Sequence, residues 1–412
     1  MTSDSRDPDS HDPESDPHAA DTPIPEHVEL HPWTSVFDAP GWPQVDKEIG
    51  DLAFLLSVRD VEMVVAYMQA ELGIIPKDPG MRVADALHRT GVAPQAAVTS
   101  MHASVTPIPA IVAQLREEVG PELAPWVHYG LTSQDCIDTA LSLMQGEALD
   151  ICLAALDEIV SKLAAFARAT REIPLLARTV ATPAAPMTLG YRAIGWLQGA
   201  EAAYAALLQT RDSLAVQIGG AVGDLGKQGE QAVQLVGMVA EQLQLDTPRA
   251  PWHTERSRVL KAATSYVQTI NACAKFAGDV LLMSEFGETR FGGDPKQQGR
   301  GQSSAMAGKR NPAAAVLISI AARQAPGLLA TVAACGVQEM ERAAGAWQAE
   351  WRPLRELVRL LGGTLRESLL LLNDLGIDQE RMRENLRAAD VGDDVSAAVR
   401  RTDEYLARFE AE

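Results

Sequence analysis

Apolar residues recur along this chain at helical rather than strand spacing. From Val58 onwards, Val61, Val64, Val65, Met68 and Leu72 follow one another at helical intervals, and Gly73 and Pro76 close the segment. Shorter helical segments run on to about Trp126, and four long stripes follow. The first holds Leu149, Leu153, Leu156, Ile159, Leu163 and Phe166. The second runs from about Tyr191 to Leu214. The third carries Val259, Ala263, Tyr266, Ile270, Cys273, Ala277 and Val280, and the fourth runs from Ala313 towards Ala343. Such stripes predict the core-facing sides of long helices in a bundle. No strand alternation or phosphate-binding strand–loop–helix is visible, so a nucleotide fold is not supported and the fold class reads as all-α.

Composition sharpens this picture. The chain has 412 residues, 46% of them hydrophobic, enough for a large core and more than one domain. Scarce aromatics and abundant Ala and Leu favour helices. The net charge is −19. Nine acidic residues against Arg6 put −8 of it in the first thirty residues, leaving −11 for the body. That first segment is poor in apolar residues and reads as a disordered acidic tail, with His11 and His18 solvated rather than metal-bound. An acidic body argues against nucleic-acid binding, but a local cluster of cations and helix N-termini can still hold a small anion. The four cysteines, Cys136, Cys152, Cys273 and Cys335, have no metal-site spacing and lie in apolar helical patterns. The expectation is therefore no metal, no cofactor, no disulfide and a reducing cytoplasm. No run reads as a membrane span, and no signal peptide precedes the body.

Three segments carry candidate chemistry. Gly301-Gln302-Ser303-Ser304-Ala305-Met306-Ala307-Gly308-Lys309-Arg310-Asn311-Pro312 follows a charged, Gly-rich run from Gly292 to Arg300. A loop with two serines, a lysine and an asparagine can close over an anion, although taken alone such a loop is more often a solvated connector. In the second segment, His128 to Ala140, Thr132 and Ser133 stand just before a helix starting near Asp135. Hydroxyls and free N–H groups there suit either a carboxylate site or a simple N-cap. In the third, Arg178-Thr179 fits a carboxylate site or a buried ion pair equally well. His253 and Arg256 form a further polar pair, open to a structural or a site role.

These segments together resemble the signature regions of the fumarase/aspartase superfamily. Residues 301–312 are similar to its Gly-Ser-Ser-x-Met-Pro-x-Lys-x-Asn-Pro loop, with Gln302 in place of a glycine and Ala307 in place of a proline. The order His-x-Gly-x-Thr-Ser-x-Asp-x-x-Asp-Thr-Ala from His128 resembles the first signature region of adenylosuccinate lyases and 3-carboxy-cis,cis-muconate cycloisomerases. Residues 177–188 resemble the second region, but Val180 stands where many of these lyases have a histidine, as in the cycloisomerase branch, and Thr182 replaces that branch's glutamine. Residues 251–256 and 338–351 also resemble the cycloisomerase branch, and Gln217 to Gly223 matches a superfamily turn. Thr106 replaces an asparagine near Pro107. The resemblance spans roughly residues 50 to 385, and relatives continue through more helices after Asn385-Leu386, so a short C-terminal part is expected.

The resemblance implies a subunit in parts: an acidic tail (1–30), an N-terminal helical domain (31–130), a central long-helix bundle (131–350) and a short C-terminal helical domain (351–412). It implies a homotetramer whose active sites collect signature regions from three chains, acting on a small dicarboxylate without nucleic acid, membrane or cofactor. The chemistry implied is proton removal beside a carboxylate, followed by loss of a β-substituent through an aci-carboxylate carbanion. Ser303 would be the general base, and Ser304, Met306, Lys309 and Asn311 would close on substrate. Thr132, Ser133 and Gln134 would hold the other carboxylate, with Arg178 and Thr179 near, and His128, His253 and Arg256 as further contacts. Two activities are weighed: elimination from a substituted succinate, such as nitrosuccinate to fumarate and nitrite, and lactone formation by a cycloisomerase. The site changes favour the first. A non-catalytic helical assembly is the reading from another class.

Overall fold

The computed structural model describes residues 41–292, 300–306 and 308–411. The expected acidic tail, most of the charged run and Ala307 lie outside them. The N-terminal part holds α1 (Pro43–Glu48), α2 (Asp51–Glu71), α3 (Lys77–His88), α4 (Pro94–Ser104) and α5 (Ile108–Val119). The bundle is built from α6 (Ser133–Ala169), α7 (Leu189–Asp212), α9 (Ser257–Glu285), α10 (Ala313–Ala334) and α11 (Ala346–Asp374), with the shorter α8 (Ala232–Leu243) beside α2. At 37 residues α6 is about 55 Å long. Two C-terminal helices, α12 (Gln379–Ala389) and α13 (Ser396–Phe409), pack back onto the hairpin described next and onto α6 and α7.

The all-α expectation holds, and the stripes fall on α2, α6, α7, α9 and α10. One extended core runs through α6, α7, α9, α10 and α11. Three features differ from the pattern. First, α11 is a fifth long helix, continuous across the 350/351 point where a domain boundary was expected. Second, residues 174–188 form an antiparallel hairpin, β1 (Pro174–Thr179) and β2 (Thr182–Thr188), and a two-residue pair, β3 (Thr289–Arg290) with β4 (Gly376–Ile377), joins the ends of α9 and α11. Third, α10 is apolar and long enough to cross a membrane by length and composition, against expectation, with mean hydropathy 1.5 over its most apolar window. It packs on α9 and α11, yet only 28% of that window is buried. Val316 and Ile320 are among its exposed apolar residues, as are Tyr191 and Leu208 on α7 and Leu282 on α9.

Candidate active site

The start of α6 is densely hydrogen-bonded. Thr132 caps the helix in a capping box with Asp135, its N–H donating to Asp135 Oδ2 at 3.0 Å. The fully buried Asp135 also accepts from Gly219 N and Gly220 N, both at 2.9 Å, and lies 2.8 Å from His253 Nε2. The glycines are required by space. A side chain on Gly219 would meet the His253 ring at 2.7 Å, and Gly220 has φ +73°. The turn from Gln217 to Gly223 is thereby clamped onto the helix start.

One turn further on, Asp138 accepts from Arg256 Nη1 (2.8 Å) and Nη2 (3.2 Å), from Trp347 Nε1 (3.0 Å) and from Gln134 Nε2 (3.1 Å). Arg256 reaches on to Glu350, and all three ionisable side chains are almost wholly buried. One cation thus serves two carboxylates. Asp138 takes most of the donors, so burial pushes the Glu350 carboxyl up to about 7, with Asp138 adding to the shift and Arg256 opposing it. The Arg256 guanidinium is held above its usual range: burial works against its charge, and the two carboxylates outweigh burial.

These contacts place several expected substrate ligands inside the protein. Gln134 is fully buried, and its amide N–H groups go to Asp138 and to the His253 carbonyl (2.7 Å), so it orients neighbours and offers no donor to open space. His253 and Arg256 are likewise buried within the subunit, where they hold Asp135 and Asp138. What does come forward is Arg342, which carried no role in the sequence reading. Half-buried, it donates to Thr132 Oγ1 (2.7 Å), Gln134 Oε1 (3.3 Å) and the Ala221 carbonyl (3.3 Å), all neutral acceptors. A guanidinium beside the positive end of a 37-residue helix raises the local potential, and an anion lowers it. Ser133, partly exposed at the first helical position, lies in the same place.

His128, four residues before the cap, sits at φ +63° and is fixed by Glu62 of α2. Its backbone N–H donates to Glu62 Oε2 (2.9 Å), its Nδ1 lies 2.5 Å from Oε1, and the Cys136 thiol donates to the same oxygen (3.2 Å). Burial alone would lower the imidazole and raise the carboxyl. The charge of each on the other reverses both, so His128 is held above its usual value and Glu62 below.

The other signature regions lie elsewhere. The loop closes as a narrow turn in which Asn311 N donates to the Gly301 carbonyl (2.7 Å) and Gln302 bridges to Arg310. Gly301 has φ +70°, and a Cβ there would stand 2.1 Å from the Asn311 carbonyl oxygen. Ser303 Oγ accepts from the backbone N–H groups of Ala305 (3.3 Å) and Met306 (3.2 Å). Two fixed donors stabilise the deprotonated hydroxyl. Ser304, Met306, Lys309 and Asn311 are exposed around it. Arg178 forms a paired contact with the buried Glu288 (2.7 and 3.2 Å) and lies over the Phe286 ring, so within the subunit its ion-pair reading is the one realised. Thr179 is exposed beside the hairpin tip, where Val180 is 97% exposed. Val180 and Ala181 both have positive φ (49° and 61°), a strained conformation for residues with a Cβ.

Helix α11 measures the separation. Near its start Trp347 and Glu350 belong to the α6 cluster, and near its end Glu367 pairs with Arg300 and Asp374 accepts from Gly292 N. From position 350 to 367 a helix rises about 26 Å. The hairpin belongs to the far end too, since Glu288, which holds Arg178, adjoins the β3–β4 pair that follows α11. The chain therefore carries the α6 cluster at one end of its bundle, and Ser303 and the hairpin at the other. Sequence spacing showed neither Arg342 nor Glu62. The acidic and basic residues in the 338–351 stretch were the available signal for Arg342. Glu62 sat unmarked within the α2 apolar stripe.

Comparison with known proteins agrees with this geometry. A protein family described as Lyase matches residues 53–327, and the chain belongs to that family, within the fumarase/aspartase superfamily. A 3-carboxy-cis,cis-muconate cycloisomerase of Bradyrhizobium diazoefficiens is 35% identical over 343 residues, covering 82% of this chain and 76% of the relative. A nitrosuccinate lyase of Streptomyces davaonensis is 34% identical over 355 residues, covering 83% and 74%. The crystal structure of the 3-carboxy-cis,cis-muconate lactonizing enzyme of Pseudomonas putida superposes with a TM-score of 0.77 at 31% identity, covering 84% of this chain and 78% of the other. The chain is an enzyme of this superfamily.

Proposed function

We propose that this lyase eliminates a β-substituent from a substituted succinate and releases fumarate, with a leaving group that departs as a stable anion. Nitrite from nitrosuccinate is the example that the Streptomyces davaonensis relative suggests. The observation that carries the reading is Val180. The hairpin tip that bears a proton-donating histidine in the lyases resembled earlier here presents a fully exposed, apolar side chain. A leaving group that needs no proton suits such a tip. Ser303 takes the proton next to the carboxylate, helped by the two amides on its oxygen and by exclusion of water when the loop closes. Lys309 and Asn311 hold the carboxylate that receives the negative charge as an aci-carboxylate. Thr132, Ser133 and Arg342 hold the other.

The working form in this reading is a tetramer. The two ends of one subunit are too far apart to meet over a four-carbon diacid, and exposed apolar residues on α7, α9 and α10 supply the faces on which other copies would pack. The strained, apolar hairpin tip suits contact with a neighbouring chain.

A second reading, lactone formation by a cycloisomerase, rests on the 35% identity to the Bradyrhizobium diazoefficiens enzyme, and that branch also lacks the histidine. Incubation of the purified protein with nitrosuccinate, and separately with 3-carboxy-cis,cis-muconate, distinguishes the two. Fumarate and nitrite in equal amounts support the elimination. Lactone without fumarate from either substrate would sink it, and no turnover of these two or of any other dicarboxylate would favour a non-catalytic assembly.

A further inference from the structure

The fold gathers three metal-binding side chains that are scattered in the sequence: Glu62 on α2, His128 in the loop before α6, and Cys136 in its first turn. Their Oε1, Nδ1 and Sγ atoms all lie within 4.8 Å of one another. The sulfur is 3.2 Å from the carboxylate oxygen and 3.6 Å from the ring nitrogen. A tetrahedral zinc-class ion with bonds of about 2.0 Å to N and O and about 2.3 Å to S spaces its ligands about 3.3–3.5 Å apart. Both sulfur separations lie within about 0.3 Å of that spacing. Only the 2.5 Å contact between Oε1 and Nδ1 must open, by under about 1 Å, as the ion replaces the proton the two share.

We propose that Glu62, His128 and Cys136 form a binding site for a single zinc-class transition-metal ion. The donor set is one thiolate, one imidazole and one carboxylate, which is suited to zinc and cobalt and poor for magnesium or calcium. The other oxygen of Glu62 already accepts the His128 backbone N–H, which holds the carboxylate in its ligating direction. Glu62 and Cys136 are buried while the His128 side chain keeps 17% of its surface, so an ion enters past the imidazole and its fourth position faces that way. The same arrangement disfavours the thiolate without metal. Burial and the neighbouring Glu62 charge push Cys136 well above the usual thiol range. A dication reverses that balance because it attracts both the carboxylate and the thiolate, and binding releases protons.

The test uses the full-length protein after dialysis against a chelator. Cobalt(II) is added and the near-ultraviolet thiolate-to-cobalt charge-transfer band is followed, with Cys136→Val and Cys136→Ser alongside. The expected result is a band that saturates at one ion per chain, is abolished by zinc, and is missing from both variants, whose circular dichroism matches the native chain. Zinc is expected to raise the thermal midpoint of the native chain only. Absence of the band in the native chain overturns the proposal, and so does a band that persists without the Cys136 thiol. The other three cysteines are buried and join no comparable cluster among the described residues, so a surviving band would report a site of another kind. The readout is independent of the reaction the enzyme performs.

Discussion

The two ends of α11 are built on opposite terms. At its start, Asp135, Asp138, Arg256, His253, Gln134 and Glu350 are buried and mutually bonded, with Thr132, Ser133 and Arg342 on their outward side. At its far end the signature loop and the hairpin tip are exposed, and the Ser303 hydroxyl accepts from two backbone amides. A preorganised anion site needs groups that cannot relax, and burial with several hydrogen bonds per carboxylate supplies that. A loop that closes over substrate needs the reverse: few contacts to break and glycines at its hinges. In the proposed reading, the difference separates residues that position from residues that act.

The contrast can be broken most severely at the open end. Ser303→Ala is expected to lower kcat by about 10²- to 10⁴-fold while leaving the unfolding midpoint unchanged, as measured by steady-state rates and thermal denaturation. Full activity in this variant would remove the assigned base. At the buried end the large effect falls on stability. Arg256→Leu leaves Asp138 and Glu350 facing each other without their cation, and a loss of about 3–5 kcal/mol is expected in denaturant titration. A change below about 1 kcal/mol would mean that the network is not the frame described.

Between the two lies Arg342, which faces outward from the buried frame. Arg342→Gln is expected to cost about 1.5–3 kcal/mol in kcat/KM, through weaker carboxylate binding, with little change in stability. An equal loss with neutral and anionic substrate analogues would contradict its role. The smallest effect is a pH dependence. Folded Glu350 holds its proton up to about 7, above the ordinary carboxyl value of 4.5. The folded state therefore binds that proton more tightly than the unfolded chain. The stabilisation is complete below about 4.5 and is lost as pH rises towards 7, at up to about 1.4 kcal/mol per unit. Glu350→Gln should remove that slope, which parallel melting curves from pH 5 to 8 can check.

Much of the fold was legible because long core helices print their period in the sequence. The stripes at Leu149–Phe166 and Val259–Val280 are the inner faces of α6 and α9. The hairpin was not legible. Its strands carry Pro183 and Pro186 and no alternation, and its turn, Val180-Ala181, lacks the Gly or Asn that usually marks one. It is held by α12, α7 and the Arg178–Glu288 pair, contacts far apart in sequence. The α11 stripe was masked by its many Arg and Glu residues and by Pro353, while the α10 stripe was read past its end at Ala334. At the site, motif positions were legible but their depth was not. Gln134, His253 and Arg256 stand in motifs that suggest substrate contact, and only burial reveals that they hold the frame.

The central claim is that a working site joins the α6 end of one subunit to the Ser303 end of another. Subunit complementation tests it directly. Ser303→Ala and Arg342→Ala are each purified in their impaired form, then dissociated together, reassembled and assayed. The account predicts that the mixture gains activity above either variant reassembled alone, because mixed assemblies contain sites with both an intact Ser303 and an intact Arg342. A mixture that assembles with no more activity than its components would place both residues in a site within one chain and contradict the account.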